Sequence, residues 1–146
     1  MSVFAPELIT FSLDARDKVD AISQMAQLVV SAGRGIDSEQ ITKDVLIRDE
    51  LGTPQVDGVA IPHARTTGVS VSSVAIARSV NQNIVFDTDE GPAQVLFMIL
   101  VPNEAGDEHI TILSSLARRL MDDEFTKALR TTNNPAALVG LLEGGN

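Results

Sequence analysis

The chain has no cysteine, tryptophan or tyrosine, and only two histidines among its 146 residues. Without cysteine there are no disulfides, no thiolate nucleophile and no cysteine-ligated zinc. That absence is compatible with a reducing compartment. Positive charge is also scarce. Lys and Arg number 11 against 20 Asp and Glu, for a net charge of −9. Nucleic-acid phosphates need a basic face, so a nucleic-acid partner is not expected. No apolar run reaches the length of a membrane span, so no direct membrane insertion is expected. The start, Met-Ser-Val-Phe-Ala-Pro-Glu, lacks the basic then apolar pattern of a secretory signal, and the expected location is the cytoplasm. Gly-x-Ser-x-Gly, Gly-x-Gly-x-x-Gly and Walker-type loops are all missing, which argues against a serine hydrolase and against direct nucleotide binding.

The residues that are present describe one aliphatic domain, 1–146. Hydrophobic residues make up 44% of the chain, with five Phe as the only aromatics. Ile9 and Phe11 alternate with polar neighbours, as in a short edge strand. A helix over roughly 15–32 is predicted, capped by Asp14, with Val19, Ile22, Met25 and Val29 at helical spacing and Gly33 at its end. Asp37 caps a second helix, with Gln40 at the capping-box position. On it Ile41, Val45 and Arg48 share one face, so an arginine ends an apolar stripe. Residues 51–57 read as a loop.

Val59-Ala60-Ile61 then reads as a buried strand that Pro62 must stop, because proline has no N–H for a ladder. His63 follows and is expected in a loop that exposes its ring. A strand is read from Val69 to Ile76, with a bulge near Ser72-Ser73 and an antiparallel neighbour at Ile84–Phe86. Val95 to Val101 is apolar without a two-residue period, which predicts a central strand buried on both faces. Pro102 ends it. Asp107 caps a third helix with His109 in its first turn and Ile110, Leu113, Leu116, Ala117 and Leu120 as its stripe. A fourth helix near Asp122 buries Phe125 and Leu129. The last follows Asn134-Pro135 and turns Leu138, Leu141 and Leu142 inward. The fold class is α/β, a largely parallel sheet with helices on both faces.

The chemistry is concentrated in a few side chains. Both histidines follow a strand ended by proline, and sites in open α/β sheets gather beyond the carboxyl ends of strands. If those two strands are parallel neighbours, His63 and His109 meet there. A helix N-terminus beside His109 favours an anion. A neutral imidazole with an ordinary pKa of ~6.5 is a good nucleophile at neutral pH. A metal site formed by the two histidines with Asp107 or Glu108 is the weaker alternative, since no metal-ligand spacing appears. No cofactor is expected.

Three segments, in order, carry a resemblance to a known family. Val59-Ala60-Ile61-Pro62-His63-Ala64 is similar to the apolar-Ala-apolar-Pro-His-small signature of the type-2 enzyme IIA domains. These belong to the fructose/mannitol/nitrogen-regulatory branch of the bacterial phosphoenolpyruvate-dependent sugar phosphotransferase system. Ile47-Arg48-Asp49-Glu50-Leu51 resembles the arginine-acidic segment before that signature. Glu108-His109-Ile110, with the apolar positions after it, resembles the second-histidine helix. One departure is that Gln55-Val56-Asp57 stands where the family commonly has an apolar-Gly pair.

The resemblance implies a mixed, mostly parallel sheet sandwiched by helices. It implies that His63 accepts a phosphoryl group from the phosphocarrier HPr and passes it to a cysteine of an enzyme IIB domain, whose membrane IIC partner imports sugar. It makes His109 the auxiliary histidine, Arg48 the residue that stabilises the phosphoryl oxygens and Arg65 a helper. A docking protein implies an exposed apolar patch around His63. A nitrogen-type regulatory module, acting by phosphorylation-dependent protein binding, is the alternative role.

Overall fold

The computed structural model describes residues 2–144. In chain order, a 3₁₀ turn (Pro6–Leu8) leads into β1 (Ile9–Leu13), α1 (Lys18–Ser31), α2 (Ser38–Asp49), β2 (Gln55–Val56), β3 (Val59–Ala60) and β4 (His63–Arg65). Then follow β5 (Ser73–Ser79), β6 (Val95–Val101), α3 (Glu108–Arg119), α4 (Asp123–Thr131) and α5 (Pro135–Gly144). The strands form one sheet in the order β1-β5-β6-β3-β2, with β4 also on β6. Three ladders are parallel, β1/β5, β3/β6 and β4/β6, and two are antiparallel, β2/β3 and β5/β6. The sheet is mixed and mostly parallel, as expected.

The apolar run at 95–101 organises both layers. All seven residues of β6 are buried. Leu96, Met98 and Leu100 point into one core with α1 and α2, beside Ile22, Met25, Ile41 and Val45. Val95, Phe97 and Ile99 point into the other, beside Leu116, Phe125, Leu129 and Leu138 of α3 to α5. Alternation across a strand sends successive side chains to opposite faces, so a run with no polar gap requires helices on both.

Several local expectations are corrected. Asp17, not Asp14, caps α1, accepting a bond from the Asp20 N–H at 2.8 Å. The Asp14 carboxylate instead accepts from Asn81. Asp37 does cap α2 through the Gln40 N–H, but the Gln40 side chain reaches forward to Asp44. Residues 55–56 form β2 rather than loop, because an Asp57-Gly58 turn with φ of 50° and 79° folds them back onto β3. Ile84–Phe86 is not a strand; only Val85 makes an isolated bridge, to Pro92. The antiparallel partner of β5 is β6, which offers a longer apolar match. The strand at 69–76 starts only at Ser73, and Val69 makes an isolated bridge to Gly35. Val139 is buried where Leu141 was expected, and Leu141 is exposed.

Candidate functional site

Pro62 interrupts the signature strand without ending its course. It cannot donate, yet its carbonyl still accepts the Ile99 N–H at 3.0 Å. The chain therefore stays on β6 and resumes as β4, with His63 opposite Ile99, Ala64 opposite Leu100 and Arg65 opposite Val101. His63 thus opens a strand instead of sitting in a loop, and it is only 8% exposed. This overturns the expected exposed ring.

The ring is oriented by backbone. His63 Nδ1 lies 2.9 Å from the Ile61 carbonyl oxygen. A carbonyl only accepts, so Nδ1 carries the proton and the lone pair of the neutral ring sits on Nε2. That is the tautomer required for attack through Nε2.

A cavity of about 600 Å³ opens over this histidine. Its walls are Asp44, Ile47 and Arg48 of α2, Leu51 after it, His63, Ala64 and Arg65 of β4, and Ile110 and Leu113 of α3. Three of the four sequence-predicted residues, His63, Arg48 and Arg65, therefore share one cavity. The fourth, His109, is the second residue of α3, and its side chain lies outside the described residues. Its neighbour Ile110 lines the cavity, and the two strands that lead to the prolines, β3 and β6, are parallel neighbours.

The two arginines are held differently. Arg48 Nη1 donates to the Gly52 carbonyl at 2.8 Å, closing the loop after α2. Arg65 Nη1 donates to Asn103 O at 3.2 Å, and its Nη2 donates to Gly106 O. Arg65 also stands 4.0 Å from the Asp107 carboxylate. It straps the β6–α3 loop and so fixes where α3 begins. Asp107 occupies the N-cap of α3 but makes no side-chain cap bond.

Around the cavity Ile47 is 52% exposed, Leu51 82% and Ile110 52%. This is the apolar patch that a docking protein calls for. Sequence reasoning named Arg48 but missed Asp44, Ile47 and Leu51 as wall residues. Their signal was present: Asp44, Ile47 and Arg48 fall at i, i+3 and i+4 of one helix face, and Leu51 follows just past the helix end. Among the described residues no group of three or more side chains gathers to hold a metal ion, and no helix is long and apolar enough to cross a membrane.

Residues 2–144 match the family described as "Phosphoenolpyruvate-dependent sugar phosphotransferase system, EIIA 2". The chain belongs to this family. The EIIA chain is 42% identical over 125 residues to a fructose-specific EIIA component of Haloferax volcanii, covering 84% of this chain and 80% of that protein. It is 31% identical to a nitrogen regulatory protein of Bradyrhizobium diazoefficiens, over 94% of this chain and 90% of that one. A 2-O-alpha-mannosyl-D-glycerate-specific EIIABC component of Escherichia coli is 31% identical over 90% of this chain, which spans only 21% of that protein. In fold it is similar to the nitrogen regulatory protein IIA-Ntr of Neisseria meningitidis, with a TM-score of 0.84 at 24% identity and 96% of each chain covered. It is also similar to the enzyme IIA of mannitol from Escherichia coli in complex with phosphorylated enzyme IIB, with a TM-score of 0.75 at 22% identity and 97% of each chain covered. Family membership places this EIIA domain in phosphoryl transfer.

Proposed function

We propose that residues 1–146 act as one cytoplasmic IIA domain that carries a phosphoryl group on His63 for sugar uptake. The observation that supports this most directly is the ring of His63, held through Nδ1 on the floor of a cavity shared with Arg48 and Arg65. The donor is phospho-HPr and the acceptor is a cysteine of an enzyme IIB domain, itself joined to a membrane IIC partner.

In the first step the Nε2 lone pair attacks phosphorus in line. The donor's P–N bond breaks and its electron pair returns to the donor imidazole. The product carries Nε2–P with Nδ1–H retained, and the Ile61 carbonyl stabilises the positive charge that develops on that N–H. In the second step an IIB thiolate attacks, S–P forms and Nε2 recovers its lone pair. Such transfers pass through a loose state, so alignment and charge stabilisation do most of the work. Arg48 turns toward the phosphoryl oxygens, His109 assists from the first turn of α3, and Arg65 keeps that turn in place.

The test is incubation with phosphoenolpyruvate, enzyme I and HPr, followed by mass analysis for an acid-labile phosphoryl group at residue 63. Label is expected on the wild type and absent from His63→Gln. A folded wild-type chain that stays unlabelled refutes the reading. Adding IIB divides the two roles. Transfer onward supports transport, to which the 42% identity with a fructose-specific EIIA component points. Labelling with no onward transfer supports the nitrogen-type regulatory role.

A further inference from the structure

The cavity that receives the phosphoryl group has a carboxylate in its wall. Asp44 stands one helical turn before Arg48 on the same face of α2, which puts their Cβ atoms about 5–6 Å apart. Arg48 is nonetheless turned to Gly52, and among the described residues the ion pairs are Arg16–Asp20, Lys18–Asp49 and Arg65–Asp107. None involves Asp44. Its one hydrogen bond comes from Gln40 Nε2 to Oδ1 at 3.0 Å. A carboxylate with no ion-pair partner among the described residues thus lines the space that must take a group carrying about −1.5 to −2 charge at neutral pH.

Resting on the phosphoryl-transfer reading above, we infer that Asp44 is a specificity-determining residue. Its carboxylate receives a cationic side chain, guanidinium or ammonium, from the protein that presents the phosphoryl group. The same carboxylate repels phosphoryl donors that bring no cation. Like charges at this range oppose each other strongly where water is partly excluded, and a partner cation converts the repulsion into attraction. Specificity of this kind uses a repulsive element against the wrong donor together with an attractive one for the right donor. The surroundings suit such a partner. Ile47, Leu51 and Ile110 are exposed apolar residues at the mouth, and a docked protein covering them dries the pair. The acidic balance of the chain also favours a basic docking face.

Asp44→Asn tests this, because Asn keeps an oxygen for Gln40 and removes only the charge. Two donors are compared, phospho-HPr and phosphoramidate. With phosphoramidate its P–N bond breaks, Nε2–P forms on His63, and ammonia leaves with the electron pair. The variant is expected to lose about tenfold in rate from phospho-HPr, with a flatter dependence on salt, as loss of a steering charge predicts. Labelling by phosphoramidate is expected to rise about threefold or more, as repulsion of the anion is relieved. His63→Gln serves as the blank for both donors. Equal change with the two donors, whether none or a parallel fall in a variant with wild-type circular dichroism, overturns the Asp44 assignment alone. A wild-type chain labelled by neither donor overturns the parent reading along with it.

Discussion

Asp49 joins three segments that must stay in register for the cavity to exist. Its Oδ2 lies 2.5 Å from Lys18 Nζ at the start of α1, and its Oδ1 accepts from Thr53 Oγ1 at 2.5 Å in the loop that leads to β2. The side chains of Asp49 and Lys18 are 9% and 28% exposed, so the pair is neither dry nor fully wet. Removing one partner from a fully buried pair costs about 3–5 kcal/mol, whereas exposed pairs contribute about 0.2–1 kcal/mol. For Asp49→Asn the expected loss is between these, about 2 kcal/mol. In a chain of this size 1 kcal/mol moves Tm by about 2–4 °C, so the melt should fall by about 4–8 °C. With no tryptophan or tyrosine to report by fluorescence, urea and thermal unfolding are followed by far-UV circular dichroism. A cycle with Lys18→Met should show a coupling of about 1–2 kcal/mol, since contacting residues are not additive. The loop that Thr53 helps to pin contains Gly52, whose carbonyl holds Arg48, so phosphoryl transfer should slow as well. A cost below about 0.5 kcal/mol, or additive single variants, would refute the reasoning.

Two further outcomes follow from local geometry. A Cβ on Gly68 would meet the Asp37 carbonyl oxygen at 2.7 Å and Ile41 Cγ1 at 2.7 Å. The start of α2 already bonds to the Gly68 carbonyl through the Ile36 and Asp37 N–H groups and has little room to retreat. Gly68→Ala should therefore cost about 2 kcal/mol of stability, read by urea titration, and an unchanged midpoint would remove the steric argument. Asp20 bears on acid stability: its carboxyl is held below its ordinary 3.8, chiefly by the backbone N–H of Arg16. A depressed folded pKa adds stability above the ordinary value, and that stability is lost as pH falls through the folded one. Asp20→Asn should flatten the stability curve below about pH 4 and leave its slope near pH 7 untouched.

The parts of this molecule legible in the sequence are those where one residue type has one physical solution. The seven apolar residues of 95–101 had to be a strand buried on both faces. Asp37, Gly33 and Pro135 had to mark helix ends. Where two solutions compete, the sequence misled. Asp14 and Asp17 are both good caps, and only tertiary structure decides between them: Asn81 takes the Asp14 carboxylate, leaving Asp17 for α1. Ile84–Phe86 has the residues of a strand, but β5 has its antiparallel partner in β6, and Ile84 is buried without joining a ladder. In the site, Arg48 was found from its place on an apolar helix face. Asp44 and Ile47 on that helix, and Leu51 just after it, were passed over despite their spacing, because a surface helix tolerates charge and exposed aliphatics without visible cost.

The proline before His63 is where the sequence argument was half right, and the other half explains the site. A proline does remove a donor, and a donor is all it removes. The Pro62 carbonyl keeps the strand on β6 through Ile99, while Ile61 turns its own N–H to Pro54 at 2.9 Å. Between those two bonds the Ile61 carbonyl is directed back toward the ring of the residue two places on, and it meets Nδ1 there. The Ile61 carbonyl is thus the acceptor that selects the tautomer. The resumed pairing of His63 with Ile99 is what holds the ring on a rigid floor. Together they hold a buried histidine in one place and one tautomer.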